Sequence, residues 1–208
     1  MKKNKKERVI LGIDPGTSIT GYGLIKTVGP DPELITIGSI DLSKFDDHYL
    51  KIKHIFDRTV GIIEEYHPDE LAIEAPFYGK NVQSMLKLGR AQGAAIAAAL
   101  TYSIPIFEYA PRKIKMSITG RGAASKEQVA SMLMQILKFN KLEVKLDATD
   151  GLAAALCHFY QTNTPARGKT FNSWKDFIID PDQIQGLLCS FFINSRYSSN
   201  FFAHKPDP

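Results

Sequence analysis

"ILGIDPGTSITGYGLI", residues 10–25, is the stretch whose reading decides the fold. Val9, Ile10, Leu11 and Ile13 make a β-branched and aliphatic run of the kind that fills a buried strand. Asp14-Pro15-Gly16 breaks it with turn chemistry, since proline presets φ and glycine accepts a positive φ. Apolar character resumes at Tyr22 and continues to Ile25, so the stretch reads as a β-hairpin with a carboxylate beside its bend. Asp14 is then either an ordinary turn residue, capping its own backbone, or a functional acid held at a strand end.

Working outward, the chain of 208 residues, 44% hydrophobic and 23% charged, is long enough for one sizeable core and a tail. Cys157 and Cys189 are too few for a disulfide framework, and neither belongs to a Cys-x-x-Cys pair, which fits a reducing compartment. The basic start, MKKNKKERVI, leads into a strand rather than an apolar signal core, and no run of 18 apolar residues occurs. A soluble, cytoplasmic protein without a membrane partner is expected. The formal net charge is +4, but residues 76–146 hold 11 Lys and Arg against 3 Asp and Glu. Such a basic middle suits a polyanion, although charged runs are also ordinary solvated surface.

Residues 33–42 read as a third strand, and residues 44–68 as an amphipathic helix on Ile52, Ile55, Phe56, Ile62 and Ile63, stopped by Pro68. A short strand over residues 69–75 carries Glu74, and a long helix follows over residues 81–103, with Gly89, Gly93 and many alanines giving it a smooth face. Residues 104–110 form a strand, Pro111 opens a helix, and Ser125 caps the next. A last helix starts near residue 146 with Asp147 and Asp150 in its first turn. Three hairpin-linked strands followed by alternating helices and strands imply an α/β layer fold on a mixed central sheet. Residues 1–7 read as a basic extension, 8–163 as the domain, and 164–208 as a tail with 8 aromatic residues but no trusted period.

Four carboxylates thus stand at element ends. Asp147 and Asp150, three residues apart, lie about 60° apart around a helix and point to one side. Each acid has its own structural explanation, because carboxylates suit turns and first helical turns. Together they would raise one another's pKa, a cost that a divalent cation removes. Oxygen donors without a Cys or His cluster suit Mg²⁺ or Mn²⁺ rather than zinc. Two such ions about 4 Å apart would clamp a phosphodiester for hydrolysis. His158, eight residues beyond Asp150, is read as a packed or surface histidine rather than a ligand.

Four blocks, "ILGIDPGTSITGYGLI", "LAIEAPFYGKNVQSMLKLGRAQG", "FEYAPRKIKMSITGRGAASKEQV" and "DATDGLAAALCH", resemble the RuvC family of bacterial Holliday-junction resolvases across about residues 8–160. The resemblance implies a ribonuclease H-like fold and a homodimer working beside the RuvA–RuvB branch-migration complex. It also implies two Mg²⁺ per site, with Mn²⁺ as a substitute. The implied reaction is symmetric nicking of two like-polarity strands of four-way junction DNA, in recombination and repair, leaving 5′-phosphate ends. It assigns Asp14, Glu74, Asp147 and Asp150 to catalysis and metal binding, Phe77 to stacking on an unpaired base, and Lys115 and Lys126 to DNA contact. From the residues alone, Lys126 in the first turn of a helix and Lys115 near the Pro111 helix start are the phosphate contacts of choice among the basic residues. Alternatives are a related nuclease acting on other branched or RNA-containing substrates, an actin-like ATPase using "DPGTSITG" as a phosphate cradle, and a junction binder without catalysis.

Overall fold

The structure, a computed structural model, describes residues 7–28, 31–76, 81–139 and 146–163. Phe77, nearly all of the N-terminal extension and the tail over residues 164–208, for which the sequence raised expectations, lie outside them. In chain order the elements are β1 (Arg8–Asp14), β2 (Ile19–Val28), β3 (Asp31–Asp41), α1 (His48–Tyr66), β4 (Glu70–Glu74), α2 (Val82–Thr101), β5 (Ile106–Tyr109), α3 (Pro111–Thr119), α4 (Lys126–Leu137) and α5 (Leu146–Asn163). Their ends follow local chemistry. Asp47 caps α1 by accepting from the backbone of Tyr49 and Leu50, and Ser125 with Gln128 closes a capping box on α4.

The strands form one sheet in the order β3-β2-β1-β4-β5. The pairs β1–β2 and β2–β3 are antiparallel, while β1–β4 and β4–β5 are parallel. This is the expected mixed sheet, and the five strands with their helices have the ribonuclease H-like arrangement. Strand alternation divides the core. Leu11, Ile13, Leu71 and Ile73 face α1 and α2, packing with Ile55, Ile62, Ile63, Ala91 and Ala95. Ile10, Ala72 and Tyr109 face the other way, into the layer that holds Ile114, Val129, Leu133 and α5.

Helix α5 lies directly on the sheet. A Cβ added to Gly12 would stand 2.1 Å from the Gly151 carbonyl oxygen, and one on Gly21 would stand 1.9 Å from the Asp147 carbonyl oxygen. Only glycine permits that approach, so the helix backbone rests against the strand backbone. The small residues of α2 do what a smooth face allows and bring another helix close, here α1. Ala91, Ala94, Ala95, Ala98 and Ala99 are core, and the uncovered stripe runs instead through Val82, Leu86, Gly89, Gly93 and Leu100.

Candidate active site

Strand parity aims the first two acids. In β1, Asp14 shares a face with Ile10 and Gly12; in β4, Glu74 shares one with Ala72. Both are on the α5 side, and the parallel register Ile13↔Ile73 sets Asp14 and Glu74 side by side at the same end of the sheet. The bend after Asp14 is held shut by Thr20, fully buried, whose Oγ1 accepts from the Gly16 backbone N–H at 3.2 Å. Lys51 Nζ adds a 3.3 Å hydrogen bond to the Thr17 carbonyl.

The other two acids come from α5. Asp14 pairs across the hairpin with Gly21, and Gly21 is the residue against which the Asp147 backbone rests, so the first turn of α5 is delivered to Asp14. Asp147 and Asp150 point to one side, as their spacing predicts, and share a cation: Lys126 Nζ donates to Asp150 Oδ2 at 2.5 Å and to Asp147 Oδ1 at 3.3 Å. Asp150 is the more enclosed, its side chain 14% exposed against 43% for Asp147.

The electrostatics record how near the acids are. Burial, followed by the charge of Asp150, raises the Asp14 pKa from 3.8 to about 7, with Lys126 opposing and Asp147 adding to the rise. Burial, then Asp14 and Asp150, raises Glu74 from 4.5 to about 8, against Lys126 and Lys115. Asp150 is raised by burial too, while its hydrogen bond from Lys126 pulls the other way. On Lys126, burial works against the charge, but the hydrogen bonds and charges of Asp150 and Asp147 outweigh it and raise the pKa. Among the described residues, no three acid, histidine or cysteine side chains stand ready to close on one ion. Two of the four acids, Asp147 and Asp150, hold the Lys126 ammonium.

Lys115, half-buried on α3, belongs to this neighbourhood, since its charge acts on both Glu74 and Asp150. Two residues that sequence reasoning did not single out support the site. Gln92, buried on α2, donates to the Glu74 carbonyl at 3.4 Å and to Glu108 Oε2 at 3.1 Å, fixing the end of β4. Tyr109 sits opposite Glu74 in β5, and its carbonyl accepts from the Ala75 backbone N–H. A glutamine inside an alanine-rich helix face is the only sequence signal for the first, and the second has none. Of the packed and surface positions open to His158, the structure gives the packed one: it is fully buried, and bonded to Tyr109 and Glu70 rather than to the four acids.

A family model described as Crossover junction endodeoxyribonuclease RuvC matches residues 10–158. A curated protein of that name from Bacteroides fragilis is 62% identical over 183 residues, covering 86% of this chain and 97% of the relative. Another from Porphyromonas gingivalis is 57% identical over 186 residues, covering 86% and 98%. Among solved structures, Thermus thermophilus RuvC in complex with a Holliday junction substrate superposes with a TM-score of 0.69 at 28% identity, covering 74% of this chain and 94% of that one. The yeast mitochondrial Holliday junction resolvase, at 13% identity and a TM-score of 0.52, shares the fold. The chain belongs to the RuvC family of crossover junction endodeoxyribonucleases.

Proposed function

We propose that this protein resolves four-way DNA junctions by hydrolysing phosphodiester bonds at a site built from Asp14, Glu74, Asp147 and Asp150, with two Mg²⁺ ions as the metal requirement and Mn²⁺ as a substitute. One observation carries the reading: acids distant in sequence meet at one end of the sheet of a RuvC-family chain, where, beside burial, Asp150 of α5 raises the proton affinity of Asp14 on β1 and both raise that of Glu74 on β4. The donor set fits hard divalent cations, being all oxygen, with four carboxyl groups against the two nearby ammonium groups of Lys126 and Lys115. Asp14, Glu74, Asp147 and Asp150 would hold them, and such ions supply an activated water and neutralise charge on the departing oxygen.

The protein's own contributions follow from position. Asp14 and Glu74 are fixed by paired strands and by Gln92, so their oxygens keep their spacing as a phosphate approaches. Lys126 stands 49% exposed at the N-terminus of α4, where the ammonium, once released from Asp147 and Asp150, meets a DNA phosphate. Lys115 supplies a second positive charge on the α3 side. Phe77, three residues beyond Glu74, is assigned to base stacking.

Residues 8–163 are assigned as the nuclease domain of a cytoplasmic enzyme; among the described residues no helix is long and apolar enough to cross a membrane. Cutting two strands symmetrically requires two sites, hence a homodimer. Its proposed surface is the α2 stripe, where Val82 is 64%, Leu86 51% and Leu100 58% exposed. Work beside the RuvA–RuvB branch-migration complex belongs to the same reading. The test is cleavage in Mg²⁺ of a mobile four-way junction, linear duplex and an RNA–DNA hybrid. Selective, paired nicking of the junction is expected. Preference for the hybrid, or ATP turnover without DNA, would replace the assignment.

A further inference from the structure

The three elements that carry the acids are also joined at their other ends. Arg8 begins β1, whose last residue is Asp14; Glu70 begins β4, whose last residue is Glu74; and His158 lies on α5, beyond Asp147 and Asp150. Arg8 Nη1 donates to both Glu70 oxygens, at 3.0 and 3.1 Å. His158 Nε2 lies 2.9 Å from Glu70 Oε2 and Nδ1 lies 2.7 Å from the Tyr109 hydroxyl. Glu70, as a carboxylate, only accepts, so Nε2 carries the hydrogen and Nδ1 accepts from the tyrosine. The imidazole, 0% exposed, is closed in by the Phe107 ring at 4.2 Å between centroids. Arg8 Nη2 also reaches Thr162 Oγ1 at 3.1 Å, binding the last turn of α5.

The spacing is matched. Glu70 to Glu74 spans about 13 Å at strand rise, and Asp150 to His158 spans about 12 Å at helix rise. Leu152 and Ala155 seat α5 on Gly23 and Gly12, and Leu156 and Phe159 join the same apolar cluster as Ile10 and Ile25. Such contacts are non-directional, and the hydrogen bonds of His158 add a directional stop to them. We propose that His158, gripped between Glu70 and Tyr109, is a positioning residue that sets the axial register of α5 and thereby the placing of Asp147 and Asp150 against Asp14 and Glu74. Tyr109 closes the loop, because its backbone is bonded to the residue after Glu74.

This inference rests on the four acids being the metal site, and its test separates the two. Binding of Mn²⁺ to the DNA-free protein, junction affinity, and the single-turnover cleavage rate at saturating junction are compared for wild type, His158→Leu, His158→Gln and Tyr109→Phe. Leu removes both hydrogen bonds, Gln keeps a donor and an acceptor, and Phe removes one oxygen and no ring. Residues hydrogen-bonded directly to metal ligands change affinity or rate by about 10-fold to 100-fold; His158 acts at one remove, through the seat of α5, so His158→Leu is expected to weaken Mn²⁺ binding and slow cleavage by about threefold to 10-fold. Junction affinity should stay within about twofold, Tyr109→Phe should show a smaller loss in the same direction, and His158→Gln should recover most of it. Unchanged Mn²⁺ binding and rate in folded His158→Leu overturn the proposal. If that variant does not fold, the same unchanged values in Tyr109→Phe overturn it. A wild type that neither binds Mn²⁺ nor cuts junctions refutes the underlying metal-site reading instead.

Discussion

Replacing Asp14 with asparagine should abolish cleavage and yet make the metal-free protein more stable at alkaline pH. In the folded protein the Asp14 carboxyl titrates near pH 7 rather than at its ordinary 3.8, through burial first and Asp150 second. The folded state therefore holds a proton that the unfolded chain has already released between those values, and stability falls as pH rises through that window. One pKa unit is worth about 1.4 kcal/mol, so the full shift corresponds to about 4 kcal/mol above pH 7. Solvent at the half-open site screens part of this, leaving a gain of about 1–2 kcal/mol for Asp14→Asn at pH 8. For a domain of this size that raises Tm by about 3–6 °C. Glu74, held at about 8 partly by Asp14, should also titrate lower in the variant. Thermal melts from pH 5 to pH 8.5 in a chelator should therefore converge at the acid end and separate at the alkaline end, with the wild type lower. Mg²⁺ should close the gap by stabilising the wild type more. Equal melting at pH 8, or a difference independent of pH, would refute the claim that the acids repel one another in the folded state.

Lys126→Ala removes the ammonium that competes for Asp147 and Asp150. Mn²⁺ affinity without DNA should rise by about threefold or more while junction cleavage falls, and weaker Mn²⁺ binding would count against the competition. Gly21→Ala drives a methyl into the Asp147 carbonyl, so a stability loss of about 3 kcal/mol and loss of cleavage are expected by denaturant titration and junction assay. Leu86→Arg, in the uncovered α2 stripe, should yield monomers in sedimentation and uncouple the paired nicks, without lowering the melting temperature.

The sheet and the five helices of the described residues were legible because each is written in local chemistry. Asp14-Pro15-Gly16 closes the first hairpin, Pro68 follows α1, Ser125 caps α4, and apolar periodicity fills the intervals. The convergence of the acids was legible for a related reason: strand parity and helix phase fix which way Asp14, Glu74, Asp147 and Asp150 point once the sheet order is known. The pairing of Lys126 with two of those acids was not, because it depends on where α4 crosses α5 and no spacing encodes that. Gln92, Glu70 and Tyr109 were missed for the same reason, each being defined by a partner on another element. The alanines of α2 were legible only in part. Small residues announce close packing but not against what, and here the sheet and α1 claim them.

The glycine floor beneath α5 bears on how the enzyme should fail when heated. A helix seated through interlocked side chains can loosen by degrees as rotamers begin to exchange, shedding activity well before the chain melts. Where the carbonyls of Asp147 and Gly151 and the Cα atoms of Ala148 and Leu152 come up against strand glycines, little compliant side chain separates the two backbones at those points. Activity should persist almost undiminished to the edge of the melting transition and vanish within it.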